Sequence, residues 1–341
     1  MIGIGVIGYG YWGPNLARCV AETEGCALAG IADAAEPALG RAAKRHPAAT
    51  LHRDWRALVA DPAVDAVLVA TPVDTHFDMA LAALRAGKHV LVEKPVTTTS
   101  AQARILMDEA ARRGLLLMVD HTFVYTGAVQ KIGEIMRRGD LGDLYYYDST
   151  RVNLGLFRHD VNVIWDLAVH DLSILDFILP EQPMAVSASG TGHFNGGLED
   201  MAHLTLFYPG RVVAHLNVNW LAPVKVRQTL IGGSRRMIVY DDLEPSEKVK
   251  VYDRGVSLDE AANGVDMRVS YRMGDMWAPQ LSVKEALRVE MEHVVDCISR
   301  TAEPITPGES GLRVVQTLEC AMASLRQRGQ PVEIAPVRRA S

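Results

Sequence analysis

The sequence predicts an α/β protein in two parts. A parallel sheet with helices on both faces is followed by an α+β domain built on a large, mostly antiparallel open sheet. Three observations carry this reading. Short apolar runs alternate with helical periodicity over the first part of the chain. After about residue 122 the pattern changes to closely spaced strands. A length of 341 residues exceeds what one core comfortably holds. The expected boundaries are 1–121 and 122–335, with the final helix and strand free to return toward the first domain.

In the first part the runs Ile2–Ile7, Ala27–Ala32, Ala66–Ala70, His89–Val92 and Leu115–Val119 read as strands. Asp74–Ala86 and Ser100–Arg113 between them are helical. Strand and helix in alternation imply βαβ units joined by right-handed crossovers. In the second part Ala128–Arg138 reads as a helix, Gly142–Val152 as a tyrosine-rich strand and Ile164–Ile178 as a helix. Strand-like runs follow at Met184–Gly192, Met201–Tyr208, Val212–Trp220, Arg227–Ile231 and Met237–Tyr240, with turn signals at Tyr208-Pro209-Gly210 and Gly232-Gly233. Pro279–Arg300 and Glu309–Arg328 are helical again. One face of so large a sheet must be covered, either by these helices or by a partner subunit.

Composition removes several function classes. With 48% hydrophobic and 22% charged residues the chain has the profile of a folded soluble protein. A net charge of −6 gives no support to nucleic-acid binding, which calls for a basic face. No apolar run reaches the roughly 18 residues of a membrane helix. Met1–Ile7 lacks a basic leader and reads as a strand rather than a signal peptide. Cys19, Cys26, Cys297 and Cys320 form no Cys-x-x-Cys pair, so neither a zinc site nor a redox motif is indicated, and unpatterned thiols fit a reducing cytoplasm.

The first chemical signal is Gly8-Tyr9-Gly10-Tyr11-Trp12-Gly13, between an apolar strand and a helix that starts at Pro14. Gly8 permits the tight turn, Gly10 lets backbone amides approach a pyrophosphate, and Gly13 lets helix pack closely on strand. The helix N-terminus adds free N–H groups and partial positive charge. The next strand ends at Asp33, 20 residues after Gly13, where an acid binds the ribose hydroxyls of adenosine. Otherwise Asp33 is a strand-end acid or a helix N-cap. An acid there favours NAD over NADP, although Arg41, Lys44 and Arg45 on the following helix keep NADP open.

Two further elements suggest catalysis. The strand His89–Val92 runs into Glu93-Lys94-Pro95. Ligands of open parallel sheets bind beyond the carboxyl ends of strands, so Lys94 is expected in the crevice, unless it is a plain exposed lysine. Asp166 and His170 lie four apart on a helix and share a face. A carboxylate beside an imidazole sets its tautomer and raises its pKa, and such a pair can accept the proton of an alcohol. The alternative is a partly buried structural histidine. One His–Asp pair is too few ligands for zinc, so no metal site is expected.

Gly8-x-Gly10-x-x-Gly13, Ala70-Thr71-Pro72-x-x-x-His76, Glu93-Lys94-Pro95 and Asp166-x-x-x-His170, in this order, closely resemble the glucose–fructose oxidoreductase / inositol dehydrogenase (Gfo/Idh/MocA) family. The likeness runs almost end to end. It implies an N-terminal Rossmann dinucleotide-binding domain and a C-terminal α+β domain whose open sheet packs against another subunit, giving a homodimer or homotetramer. It implies Lys94 as the catalytic-site lysine, near the substrate hydroxyl and the nicotinamide ribose and so also cofactor-binding, His170 as general acid/base and Asp166 as the group that orients substrate or base. Thr71, Pro72, His76 and Glu93 are implied to line the nicotinamide side. Tyr11 and Trp12 match positions that flank the pyrophosphate and nicotinamide, although Trp12 can equally be packing of the first helix.

The stretch Thr150–Asn162 is polar and precedes the His170 helix; it is either a substrate loop or a solvated connector. It resembles family members that are nucleotide-sugar 3-dehydrogenases, acting on UDP-N-acetylglucosamine or its uronic acid. The expected substrate residues are Tyr125, Arg151, Asn153, Arg158 and Asn162, with Arg151 or Arg158 meeting a phosphate or carboxylate. The family reading is an NAD-dependent oxidoreductase acting on a secondary hydroxyl of a sugar. Its alternatives are an NADPH-dependent keto-sugar reductase, an inositol-type dehydrogenase and a non-catalytic dinucleotide sensor.

Overall fold

The computed structural model describes residues 1–155, 161–194, 196–260 and 267–337. The chain divides into two units. One comprises Met1–Thr126, Lys284–Gln316 and Val337–Ser341; the other comprises Gly127–Val283 and Thr317–Pro336. The segment from Lys284 therefore belongs with the first unit, where a single boundary near residue 121 had put it in the second.

The first unit contains β1 (Ile2–Ile7), α1 (Gly13–Glu22), β2 (Cys26–Ala32), α2 (Glu36–Arg45), β3 (Thr50–His52), α3 (Trp55–Ala60), β4 (Ala66–Val69), α4 (Val73–Arg85), β5 (His89–Glu93), α5 (Ser100–Arg113) and β6 (Leu117–Asp120). The strands are parallel in the order β3-β2-β1-β4-β5-β6. Helices cover both faces of such a sheet, so its strands read as apolar runs: all of Ala66–Val69 is buried. The strand order reverses between β1 and β4, and the crevice beyond their carboxyl ends is where such folds bind ligands. The helices follow local rules. The Thr99 hydroxyl caps α5 by accepting the Gln102 N–H, and α5 stops at Gly114 with φ 64°.

The second unit opens with α6 (Gly127–Arg137) and β7 (Leu144–Leu154). A single π-helical turn, Ile164–Ala168, runs directly into α7 (Val169–Ile178). The strands β8 (Ala185–Thr191), β9 (Met201–Phe207), β10 (Val213–Asn219), β11 (Leu221–Gly233), β12 (Met237–Asp241), β13 (Val249–Glu260) and β14 (Met267–Trp277) then follow. The chain returns through α8 (Ala286–Ile298) and α9 (Gly308–Arg326) to β15 (Val332–Glu333). The sheet order is β14-β13-β12-β11-β7-β10-β9-β8-β15, antiparallel throughout except for β7 beside β10. Alternation builds its core: Ala202, Leu204 and Leu206 on β9 face Val218, Leu216 and Ala214 on β10, and all six are buried.

Three departures from the sequence reading have physical causes. The hairpin of β13 and β14 was not expected because charged residues interrupt its apolar alternation; Arg272 and Asp253 there form a cross-strand ion pair at 2.9 Å. The expected helix Pro279–Arg300 starts only at Ala286. Before it the backbone of Ser282 passes so close to Gly127 that a Cβ there would lie 2.2 Å from the Ser282 oxygen. The third is the π-helical turn Ile164–Ala168 within the expected helix Ile164–Ile178, where hydrogen bonds run to i+5 instead of i+4.

Candidate active site

The glycine loop after β1 is shaped for a close visitor. Gly8 has φ 94°, and a Cβ there would lie 2.5 Å from the Ala70 oxygen. At Gly13 a Cβ would lie 1.9 Å from the Gly8 oxygen, so α1 can start here only with glycine. At Gly10 an added Cβ meets nothing within 4 Å, so packing does not demand glycine. The amides of Gly10, Tyr11 and Trp12 meet no acceptor among the described residues. Open space beside unengaged amides, at the positive end of α1, fits a pyrophosphate.

The flanking aromatics have different duties. Tyr11 is 91% exposed beside the loop, whereas Tyr9 is buried edge-on to His46. Trp12 is half-buried, and its Nε1 donates to Asp120 Oδ2 at 2.9 Å, so its indole is tied by a hydrogen bond to the end of β6. Asp33 organises the loop from the end of β2: its Oδ2 accepts the Tyr9 N–H at 2.6 Å and its Oδ1 the Ala35 N–H at 2.8 Å. Arg41 reaches the same corner, with Nη2 3.3 Å from the Tyr9 oxygen.

At the ends of β4 and β5 the structure revises one expectation. His76 is 1% exposed and does not line a crevice. Its ring bridges two loops, with Nδ1 2.9 Å from the Pro95 oxygen and Nε2 2.8 Å from the Thr71 oxygen. Burial lowers its pKa, and a neutral ring donates to one of the two carbonyls. It acts as a strut that fixes Thr71 and Pro72 at the start of α4 against the Lys94–Pro95 peptide, which is cis. Glu93 ends β5 in register with Asp120, and Lys94 follows, half-buried. The Lys94 charge acts on His121, whose pKa burial and this charge push down to about 3. A neutral imidazole therefore stands near Lys94.

The second unit holds Asp166 in the π-helical turn and His170 one turn on, in α7. Asn162 starts this helix by accepting the Trp165 N–H at 3.2 Å. Asp166 Oδ2 accepts from the buried Trp220 Nε1 at 3.3 Å. Next to His170, Asp171 is buried and binds Arg151 through two hydrogen bonds, Nε to Oδ2 at 2.7 Å and Nη2 to Oδ1 at 3.3 Å. This pair ties α7 to β7 at the residue that follows His170.

These contacts correct three expected substrate residues. Tyr125 is buried in the first unit with its hydroxyl 3.0 Å from Thr306 Oγ1. Arg151 is buried and committed to Asp171, so its guanidinium serves an internal acid instead of a substrate anion. Asn162 is buried, and its Nδ2 donates to Glu199 at 2.6 Å. Asn153 is half-buried on β7. Arg158 lies outside the described residues. The sequence reading did not single out Asp120, His121, Asp171 or Trp220, which the structure places against Trp12, Lys94, Arg151 and Asp166. Asp120 and His121 had a usable signal, since they lie at the end of a parallel strand on the ligand side; the other two had none beyond Asp171 following His170.

Comparison with known proteins settles the family. The Gfo/Idh/MocA oxidoreductase model for the NAD-binding Rossmann fold matches residues 2–121, and that for the C-terminal alpha/beta domain matches residues 134–334. The chain belongs to the Gfo/Idh/MocA family. An uncharacterized oxidoreductase of Escherichia coli is 30% identical, covering 96% of this chain and 97% of its own. The UDP-N-acetylglucosamine 3-dehydrogenase of Acidithiobacillus ferrooxidans is 30% identical over 91% of this chain and 93% of its own. A structure of that enzyme superposes with a TM-score of 0.80, at 28% identity, over 97% of this chain and 100% of that one. An Agrobacterium radiobacter oxidoreductase in complex with NAD+ shares the fold, with a TM-score of 0.81 at 19% identity, covering 97% of this chain and 98% of that one. The protein is thus an NAD-binding oxidoreductase of this family. Among the described residues no helix is long and apolar enough to cross a membrane.

Proposed function

We propose that this protein oxidises, with NAD, the 3-hydroxyl of a sugar carried on a nucleotide. The observation that carries the reading is near full-length similarity to the Acidithiobacillus ferrooxidans UDP-N-acetylglucosamine 3-dehydrogenase. Retention of Lys94, Asp166 and His170 supports a catalytic chain rather than a sensor.

The amides of Gly10–Trp12 and the start of α1 would hold the pyrophosphate, and Asp33 would hold the adenosine ribose. Thr71, Pro72 and Glu93 lie on the nicotinamide side. Bound NAD supplies the acceptor for the hydride that leaves the carbinol carbon. His170 takes the hydroxyl proton on an imidazole nitrogen, with Asp166 orienting the ring, so the carbinol becomes a ketone. The Lys94 ammonium stabilises negative charge gathering on the reacting oxygen. Asn153 and Arg158 are proposed sugar or phosphate contacts. A second copy of the chain is proposed to cover the open sheet face, where Tyr271 is 75% and Met273 74% exposed on β14.

The test is a screen for NADH formation over UDP-N-acetylglucosamine, its uronic acid, the free sugars and myo-inositol. Turnover confined to nucleotide sugars is expected. Preference for inositol or a free sugar overturns the substrate class, and tight NAD binding without turnover on any of them overturns catalysis.

A further inference from the structure

The glycine loop has a hidden attachment at the end of β6. Asp120 is buried, with Oδ2 accepting the Trp12 indole N–H and Oδ1 accepting the Thr122 hydroxyl at 2.6 Å. Glu290, on α8, is 0% exposed, and as a carboxylate neither of its oxygens has a hydrogen-bond donor. Among the described residues its titration is coupled to Asp120 at the end of β6, to Glu93 at the end of β5 and to Cys19 on α1, and its charge acts in turn on Tyr125 after β6. The Tyr125 hydroxyl already meets Thr306.

Two ionised carboxylates cannot bond to each other, because both only accept. Burying both charges side by side is also costly. One retained proton removes both problems, since a neutral Glu290 can donate to Asp120. Burial, and then the Asp120 charge, hold the Glu290 acid well above the usual carboxylate range. An apolar side chain at 290 would have avoided these costs, as hydrophobic replacements of buried charged groups commonly do. The acid therefore calls for a task that an apolar residue cannot perform.

We propose that Glu290 is a positioning residue for the cofactor loop: as a buried neutral acid it donates to Asp120, fixing the carboxylate that holds the Trp12 indole and thereby the amides of Gly10–Trp12. The inference rests on the assignment of that loop to NAD. It makes α8, which the chain reaches only after the strand-rich unit, a support of the cofactor site.

The experiment titrates NAD calorimetrically into the full-length protein and its variants, with thermal melting run alongside. Glu290→Gln donates through its amide at every pH and is expected to bind NAD within about twofold of the unmodified protein at neutral pH. Glu290→Met keeps the volume without the donor and is expected to bind about tenfold more weakly, the scale of one charge-assisted hydrogen bond. In a Trp12→Phe background, where the tether is absent, Glu290→Met is expected to change affinity less than about twofold. On the alkaline side the unmodified protein loses affinity as the pair sheds its proton, while Glu290→Gln does not. Glu290→Met within twofold of the unmodified protein, Glu290→Gln no better than Glu290→Met, or an undiminished loss in Trp12→Phe overturns the proposal. Should Glu290→Met fail to fold, the pH profiles decide, and parallel profiles for the unmodified protein and Glu290→Gln overturn it. Failure of the unmodified protein to bind NAD overturns the loop assignment instead.

Discussion

At Gly13 an added Cβ would lie 1.9 Å from the Gly8 oxygen, whereas at Gly10 it would meet nothing within 4 Å, and Gly10 is not in the left-handed region. Gly10→Ala is therefore expected to melt like the unmodified protein while losing about tenfold or more in NAD affinity by calorimetry. Gly13→Ala is expected to lower the melting temperature, at a cost of about 1–3 kcal/mol or more for overpacking. For Lys94→Ala and His170→Ala, turnover is expected to fall by at least about a hundredfold with NAD binding retained, and near-normal turnover in either removes its role. His121 gives a pH signature. Its folded pKa is about 3, against 6.5 for an ordinary histidine, so the unfolded chain binds the proton first as pH falls. Stability present at neutral pH is then lost as pH drops through that window. His121→Gln should show a shallower loss of melting temperature over the same range.

At the scale of elements, the Arg151–Asp171 pair decides where the His170 helix sits. Breaking one partner strands a buried charge, and Asp171→Leu alone is expected to cost about 3–5 kcal/mol in urea unfolding. Arg151→Met combined with Asp171→Leu should recover much of that, because an apolar pair leaves no stranded charge. The elements themselves were legible to different degrees. Strands β1, β4 and β5 stood out because burial on both faces makes them apolar runs, and Asp166 and His170 stood out because helical spacing sets them on one face. Arg151 was not legible: strand position says that a side chain points to one face, not whether an acid waits there. Trp12 was not legible either, since the partner that decides between packing and tether, Asp120, lies more than a hundred residues on. The hairpin of β13 and β14 was lost because its charges pair across strands instead of marking a loop.

On the scale of the whole molecule, the exposed face of the second unit's sheet is the feature most open to test. Val256 and Tyr271 are directly paired across β13 and β14, Met273 follows two residues on, and all three are exposed. Apolar side chains grouped on a strand face mark an interaction surface. Light scattering is expected to find the protein as a dimer or tetramer, and Tyr271→Lys with Met273→Glu is expected to lower the mass without lowering NAD affinity. An unchanged mass in that variant places the subunit contact elsewhere.

The way the chain is threaded also limits how the protein can be cut and recombined. The first unit needs Lys284–Gln316 as well as Met1–Thr126, and the second resumes at Thr317, inside α9. A fragment ending near residue 126 would lack Glu290, whose acid is coupled to Asp120, and the bridge from Met118 to Pro307. The second unit of a relative therefore cannot be grafted as one contiguous cassette. A workable chimera needs two junctions around Gly127–Val283 and a third within α9 matched in helical phase, so that new specificities are more readily reached by exchanging loops than by exchanging units.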